Sequence, residues 1–123
     1  MRAAPLLVVA ALLCTSGTAR AGDAARGKIT FMQQCSACHT VIANTRDSMG
    51  PNLFGVVGRK AGSKPGFVYS DAMKSAGFVW NEAKLAAFVK APADVVPNSN
   101  MFFMGISNPT QAGDVAAYLA TLK

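Results

Sequence analysis

The chain has 123 residues, enough for one domain and too few for two. Twelve Lys and Arg outweigh six Asp and Glu, giving a formal charge of +6. The basic residues are scattered (Arg26, Lys28, Arg46, Arg59, Lys60, Lys64) and form no dense run, which argues against a nucleic-acid binder and leaves solubility or attraction to an acidic protein surface.

The first segment reads as an address and not as fold. Arg2 makes a short positive start, Leu6 to Leu13 is an apolar run, and Ala19-Arg20-Ala21 has the small-x-small form of a signal-peptidase site. The run is short for a bilayer span, which takes about 20 residues. A cleaved secretory signal over 1–21 is therefore expected in preference to a retained anchor, with 22–123 as the exported domain. Cys14 lies inside this segment, preceded by Leu13 where a lipidation site wants a small residue. The domain that remains carries ten basic and six acidic residues.

Asp23 is placed to N-cap a helix reaching about Cys35, with Ile29, Phe31 and Met32 as its apolar positions. Gly27 weakens that helix unless another element packs closely against it. From Thr40 to Gly66 the density of Gly and Pro predicts loops. Ser70 to Ala76, closed by Gly77, forms a short helix with a glycine stop. Asn81 caps a further helix bearing Leu85, Phe88 and Val89, which Ala91-Pro92 ends. A long loop rich in Pro and Asn follows, from Ala91 to Ser107. Asn108-Pro109 then opens a last helix whose apolar face carries Val115, Tyr118, Leu119 and Leu122. No alternating strand pattern of any length occurs. The fold class is all-α, with three main helices, a short one and long loops. So few helices make a thin core unless a flat apolar cofactor fills it.

Cys35-Ser36-Ala37-Cys38-His39 is C-x-x-C-H, the attachment signature of c-type haem. Two thiols add to the two vinyl groups of a porphyrin, and a two-residue spacer sets them at about the right separation. The following imidazole then lies under the iron. Three other readings compete. A thioredoxin-type pair needs a β-α-β setting, which is not visible here. A zinc site lacks ligands, since His39 is the only His. A small disulfide closes too tiny a loop to stabilise much. With one His, a bis-His haem is impossible within the chain, so the sixth ligand is Met, Lys, water or nothing. Met32 reads as core beside Cys35, and Met49 and Met73 remain candidates. Met101 and Met104 lie in the long loop, and a loop of that length usually has a task. Spacing alone does not choose between them. Phe54, Phe67, Trp80, Phe88, Phe102 and Phe103 are all able to face a haem, although each is individually more often plain core.

Together these residues resemble the class I cytochromes c, close to the mitochondrial cytochrome c and bacterial cytochrome c2 group, over essentially all of 22–123. The matching pieces are Gly27 and Phe31 before the motif, Gly50-Pro51-Asn52-Leu53, Gly58-Arg59-Lys60, Pro65 to Ala72, Trp80, Pro97 through Met101 to Gly105, and Tyr118-Leu119. The resemblance implies a class I cytochrome c fold around one covalent haem c. It implies His39 and Met101 as axial ligands, and a Pro51 carbonyl accepting from the other nitrogen of His39. It also implies that Arg59, Tyr69 and Trp80 surround the haem propionates, that Phe88 and Phe103 belong to the pocket, and that Gly27 and Phe31 meet Tyr118 at a helix crossing. Two positions depart from the family pattern: Phe88 and Met73 stand where a Tyr and an Asn are usual beside the Met ligand. The loop around Ala93-Asp94 and Asn100 is also less basic than in mitochondrial members.

The expected function is that of a soluble periplasmic one-electron carrier and not an enzyme. It would dock transiently, as a monomer, on redox complexes such as an oxidase, a bc1-type complex, a reaction centre or a dehydrogenase. The alternatives are a dedicated electron-accepting subunit of one periplasmic dehydrogenase, or a haem peroxidase or ligand-binding haem protein. The last pair needs an open iron position and a distal acid or base, and there is no second His to serve.

Overall fold

The computed structural model describes Ala4 and residues 22–123. Apart from Ala4, the expected 1–21 signal segment, with Cys14 and Ala21 before the expected cut, lies outside the described residues. Among the described residues five helices follow in order: α1 (Ala24–Gln34), α2 (Asp71–Lys74), α3 (Glu82–Lys90), α4 (Pro92–Val95) and α5 (Pro109–Ala120). Among the described residues the only β pairing is an isolated antiparallel bridge between Lys60 and Val79. No helix among them is long and apolar enough to cross a membrane.

The helices begin where their capping side chains dictate. Asp23 accepts the Arg26 N–H at 3.0 Å, Ser70 that of Met73 at 3.1 Å, and Asn81 that of Lys84 at 2.7 Å. Asn108 takes two, from Thr110 at 2.9 Å and Gln111 at 3.2 Å, and Pro109 occupies the first helical position, where its missing N–H costs nothing. Ala91, at φ −151° and ψ 82°, leaves the helical region and ends α3. The long loop expected from Ala91 to Ser107 is shorter than read, because Pro92 restarts the chain as α4. The residue that stops one helix has the fixed φ that opens the next.

α1 and α5 cross at Gly27. A Cβ there would overlap the backbone carbonyl of Asp114, so only glycine lets the two backbones approach. Beside the crossing, the Phe31 and Tyr118 rings stand 5.6 Å apart at 57°. Asp114, only 4 % exposed, accepts the Asp23 N–H at 2.7 Å and lies 3.5 Å from the Arg26 guanidinium, which ties the start of α1 to α5. The face of α1 that meets α5 carries Gly27, Thr30 and Phe31. Met32, which the sequence places in the core, is 55 % exposed and Ile29 is exposed with it, because both sit about a quarter-turn or more off that stripe.

α3 packs on α5 through Leu85, Phe88 and Val89. A chain of edge-on rings, Phe78 to Trp80 at 4.8 Å and Trp80 to Phe88 at 5.1 Å, joins α3 to the loops. Backbone bonds hold those loops down: Gly58 N–H to the Trp80 carbonyl at 2.8 Å, Ala61 N–H to that of Phe78 at 2.9 Å, and Ile106 N–H to that of Val89 at 2.9 Å. The helices and loops together enclose a cavity at the centre of the fold.

Candidate haem site

The C-x-x-C-H segment leaves α1 in a turn. The N–H groups of both Cys38 and His39 donate to the Cys35 carbonyl, at 3.1 and 3.0 Å. The two thiols and the imidazole are thereby carried on one tight piece of chain, which opens onto a cavity of about 420 Å³. All ten residues expected at the site line that cavity: Cys35, Cys38, His39, Pro51, Arg59, Tyr69, Trp80, Phe88, Met101 and Phe103. Phe67 and Phe102 also line it, whereas Phe54 does not. Leu53, Val56, Leu85, Val89, Val115 and Leu119 make the remaining wall predominantly apolar.

His39 is held in one tautomer. Its Nδ1 lies 2.8 Å from the Pro51 carbonyl oxygen, which can only accept, so Nδ1 carries the proton and the Nε2 lone pair is free to bind a metal. Burial lowers the ring's pKa below 6.5, with the Pro51 bond opposing, so the imidazole is neutral at pH 7. Gly50 packs against the ring so closely that a Cβ there would overlap it. The spacing of the motif pointed to His39 but not to this glycine support, whose only sequence signal is the Gly before Pro51.

The two methionines left open by spacing are separated by the fold. Met101 is half-buried and lines the cavity; Met104 is 98 % exposed and does not. Met73 and Met49 line it too. Arg59 sits at the cavity with its guanidinium donating to the Asn52 carbonyl at 3.0 Å and the Phe54 carbonyl at 2.7 Å, so its position is set by backbone. The Tyr69 hydroxyl accepts the Lys64 N–H at 3.3 Å. Around Pro51 lies a polar network whose bonding the sequence did not signal, although Asn52 belongs to the Gly50–Leu53 match. Buried Asn52 donates from Nδ2 to the Ile42 and Thr45 carbonyls at 2.8 and 2.9 Å, and its Oδ1 accepts from the Phe54 N–H at 2.9 Å.

The donor set fits a haem. Two thiols and one neutral imidazole on a single turn, a thioether from a distant loop and a wall of aliphatic and aromatic side chains match the demands of a covalent porphyrin. They match a redox dithiol poorly. Burial, reinforced by Cys38, pushes the Cys35 thiol up to about 11, the opposite of the lowered value a reactive thiolate needs.

A helix crossing over a C-x-x-C-H turn, closed around an apolar cavity by a methionine-bearing loop, defines a class I c-type cytochrome. The chain belongs to the cytochrome c family, whose model matches residues 24–123. It is 45 % identical over 122 residues to cytochrome c2 of Rhodomicrobium vannielii, covering 98 % of this chain and 97 % of that protein. It is 36 % identical to cytochrome c-554 of Methylosinus trichosporium, over 98 % and 93 % of the two chains. The solved structure of cytochrome cH from Methylobacterium extorquens is similar at a TM-score of 0.75 and 42 % identity, covering 81 % of this chain and 99 % of that one. Proteins of this family carry covalently bound haem c, one being typical at this size. The chain is accordingly an electron-transfer protein and not an enzyme.

Proposed function

We propose that this cytochrome is a diffusible periplasmic carrier, passing single electrons between redox complexes, with Cys35 and Cys38 as the thioether anchors and His39 and Met101 as the axial ligands. The haem supplies a one-electron iron couple. The observation that carries the reading is the convergence of those four side chains on one apolar cavity, with the free nitrogen of His39 left available by the Pro51 bond. His39 and Met101 are supplied by separate, internally bonded segments, so the ligand set stays constant and little rearrangement accompanies transfer. Arg59, Tyr69 and Trp80 offer the polar end of the cavity to the propionates, while Phe88, Phe103 and their aliphatic neighbours exclude water.

Export rests on the 1–21 signal reading, and the shuttle role on the kinship with bacterial cytochromes c2. Docking falls to the surface beside Met101, where Phe102 and Met104 are fully exposed. The net positive charge of the domain favours weak, fast encounters with acidic partners. The test is spectroscopic. The protein expressed with a haem-ligation system gives a pyridine haemochrome of one covalent haem per chain. Met101→Ala loses the sulfur-to-iron charge-transfer band, and Met104→Ala keeps it. A colourless product with both thiols free, or a band that survives Met101→Ala, overturns the assignment.

A further inference from the structure

The peptide group joining Pro51 to Asn52 is engaged at both of its polar ends. Its carbonyl accepts the Nδ1–H of His39 at 2.8 Å. Its N–H donates to Oδ1 of Asp47 at 2.6 Å, a short, charge-assisted bond. The Lys64 ammonium straddles the same carboxylate, 2.9 Å from Oδ1 and 3.0 Å from Oδ2. The two side chains are only 18 % and 24 % exposed, so solvent screens the pair incompletely. Imidazole, peptide and carboxylate thus form one continuous chain of hydrogen bonds, with a lysine at its far end.

We propose that Asp47 is a positioning residue for His39: its carboxylate, balanced by Lys64, polarises the Pro51–Asn52 peptide and so strengthens the hydrogen bond that this peptide makes to the imidazole. The inference rests on reading His39 as an iron ligand. An anion pulling on an amide N–H draws electron density onto the carbonyl oxygen of the same amide, and linked hydrogen bonds reinforce one another. A stronger acceptor at Nδ1 makes the imidazole a more electron-rich ligand, which favours the oxidised state. Lys64 draws density the other way. No proton changes hands: each hydrogen stays on its donor.

The surroundings keep this chain rigid and Asp47 ionised. Asn52 is pinned by its side-chain bonds to Ile42 and Thr45, and Arg59 holds its carbonyl. The Asn52 N–H, and beyond it the charges of Lys64 and Arg59, hold the Asp47 carboxyl below its ordinary range against the opposing effect of burial. Lys64 lies 17 positions along the chain from Asp47, so the ion pair also ties the loop carrying Pro51 to the loop before Phe67.

The test uses three variants of the haem-loaded protein and two readouts, the proton resonance of the His39 Nδ1–H and the midpoint potential. Asp47→Asn removes the charge but keeps an oxygen for the Asn52 N–H; Asp47→Ala removes both; Lys64→Met releases the carboxylate from its counter-charge. The resonance is expected to move upfield in Asp47→Asn and further in Asp47→Ala, with the potential rising in the same order. Lys64→Met shifts both readouts the opposite way. A resonance unmoved by Asp47→Asn overturns the proposal. So does equal movement in Asp47→Asn and Asp47→Ala, which would mean charge acting only through space. Movement of Asp47→Asn and Lys64→Met in one common direction would mean mere loosening of the loops, and also overturns it. If the Asp47 variants fail to retain haem, Lys64→Met decides alone on the His39 resonance and not on the potential: a downfield move is the expected result, and no move or an upfield one overturns the proposal. His39→Ala checks the underlying ligand reading separately, since a six-coordinate low-spin spectrum surviving that change sinks it whatever the Asp47 variants do.

Discussion

The ring of His39 is held by two neighbouring residues. Gly50 presents bare backbone to the ring of His39, and the Pro51 carbonyl fixes the proton on Nδ1. Gly50→Ala is therefore expected to cost about 1–3 kcal/mol of stability through overpacking, read as a lower denaturant midpoint of the haem-loaded protein. Asp47 yields a prediction with a definite sign. Its pKa in the folded state lies below the ordinary value of 3.8, so its contribution to stability is present above that value and is lost as the pH falls through the folded pKa. The gap in unfolding midpoint between the native protein and Asp47→Asn should be full at neutral pH and close in acid. A gap that stays constant down to the acid transition refutes this. C-x-x-C-H was readable because its chemistry is packed into five consecutive residues. Asp47 and Lys64 were not readable, and Asn52 stood out only as part of the Gly50–Leu53 match, because polar residues in a Gly- and Pro-rich stretch are ordinary loop composition until the chain folds them onto one another.

At the scale of elements, the contact that organises the fold is the crossing of α1 and α5. Helix propensity alone favours Ala over Gly by about 1 kcal/mol. The Asp114 carbonyl occupies the place of the missing Cβ at Gly27, so the geometry reverses that preference. Gly27→Ala should lower stability by about 1–3 kcal/mol in urea unfolding, and a neutral or stabilising result would show that the crossing tolerates a wider separation. The start of α5 is more local. Asn108→Ala removes the bonds to Thr110 and Gln111 and should cost about 1 kcal/mol. Helix starts were legible in the sequence because a cap acts within three residues of itself. α4 was not, because Pro92 reads equally as a stop for α3 and as a first turn, and only the dihedrals of Ala91 separate the two.

For the whole molecule, the helices alone do not close the core. Phe31, Trp80, Leu85, Phe88, Val115 and Leu119 are each counted in the buried core and yet line the central cavity, so the haem and the protein complete each other's apolar contacts. Holding back the haem should leave a chain with helical content below that of the loaded protein and a broad, weakly cooperative thermal transition, read by circular dichroism. A sharp transition at the same temperature would separate folding from haem. The charge surplus acts at longer range. Electron exchange with an acidic partner should slow as ionic strength rises and the Debye length shrinks from about 10 Å at 0.1 M to about 3 Å at 1 M. A rate flat in salt would instead assign docking to the exposed apolar side chains Phe102 and Met104.

Legible along the chain was mainly what acts between near neighbours: the C-x-x-C-H motif, the capped helix starts, the all-α class and, from composition, the surplus of positive charge. Folding alone settles that Met101 lines the cavity and Met104 does not, that Met32 faces solvent, that Phe54 stands outside the cavity, and that Asp47 reaches His39 through one peptide group. Those outcomes depend on which distant segments come into contact. A residue's partners across tens of positions are set by how the whole chain packs, and its immediate neighbours carry no record of them.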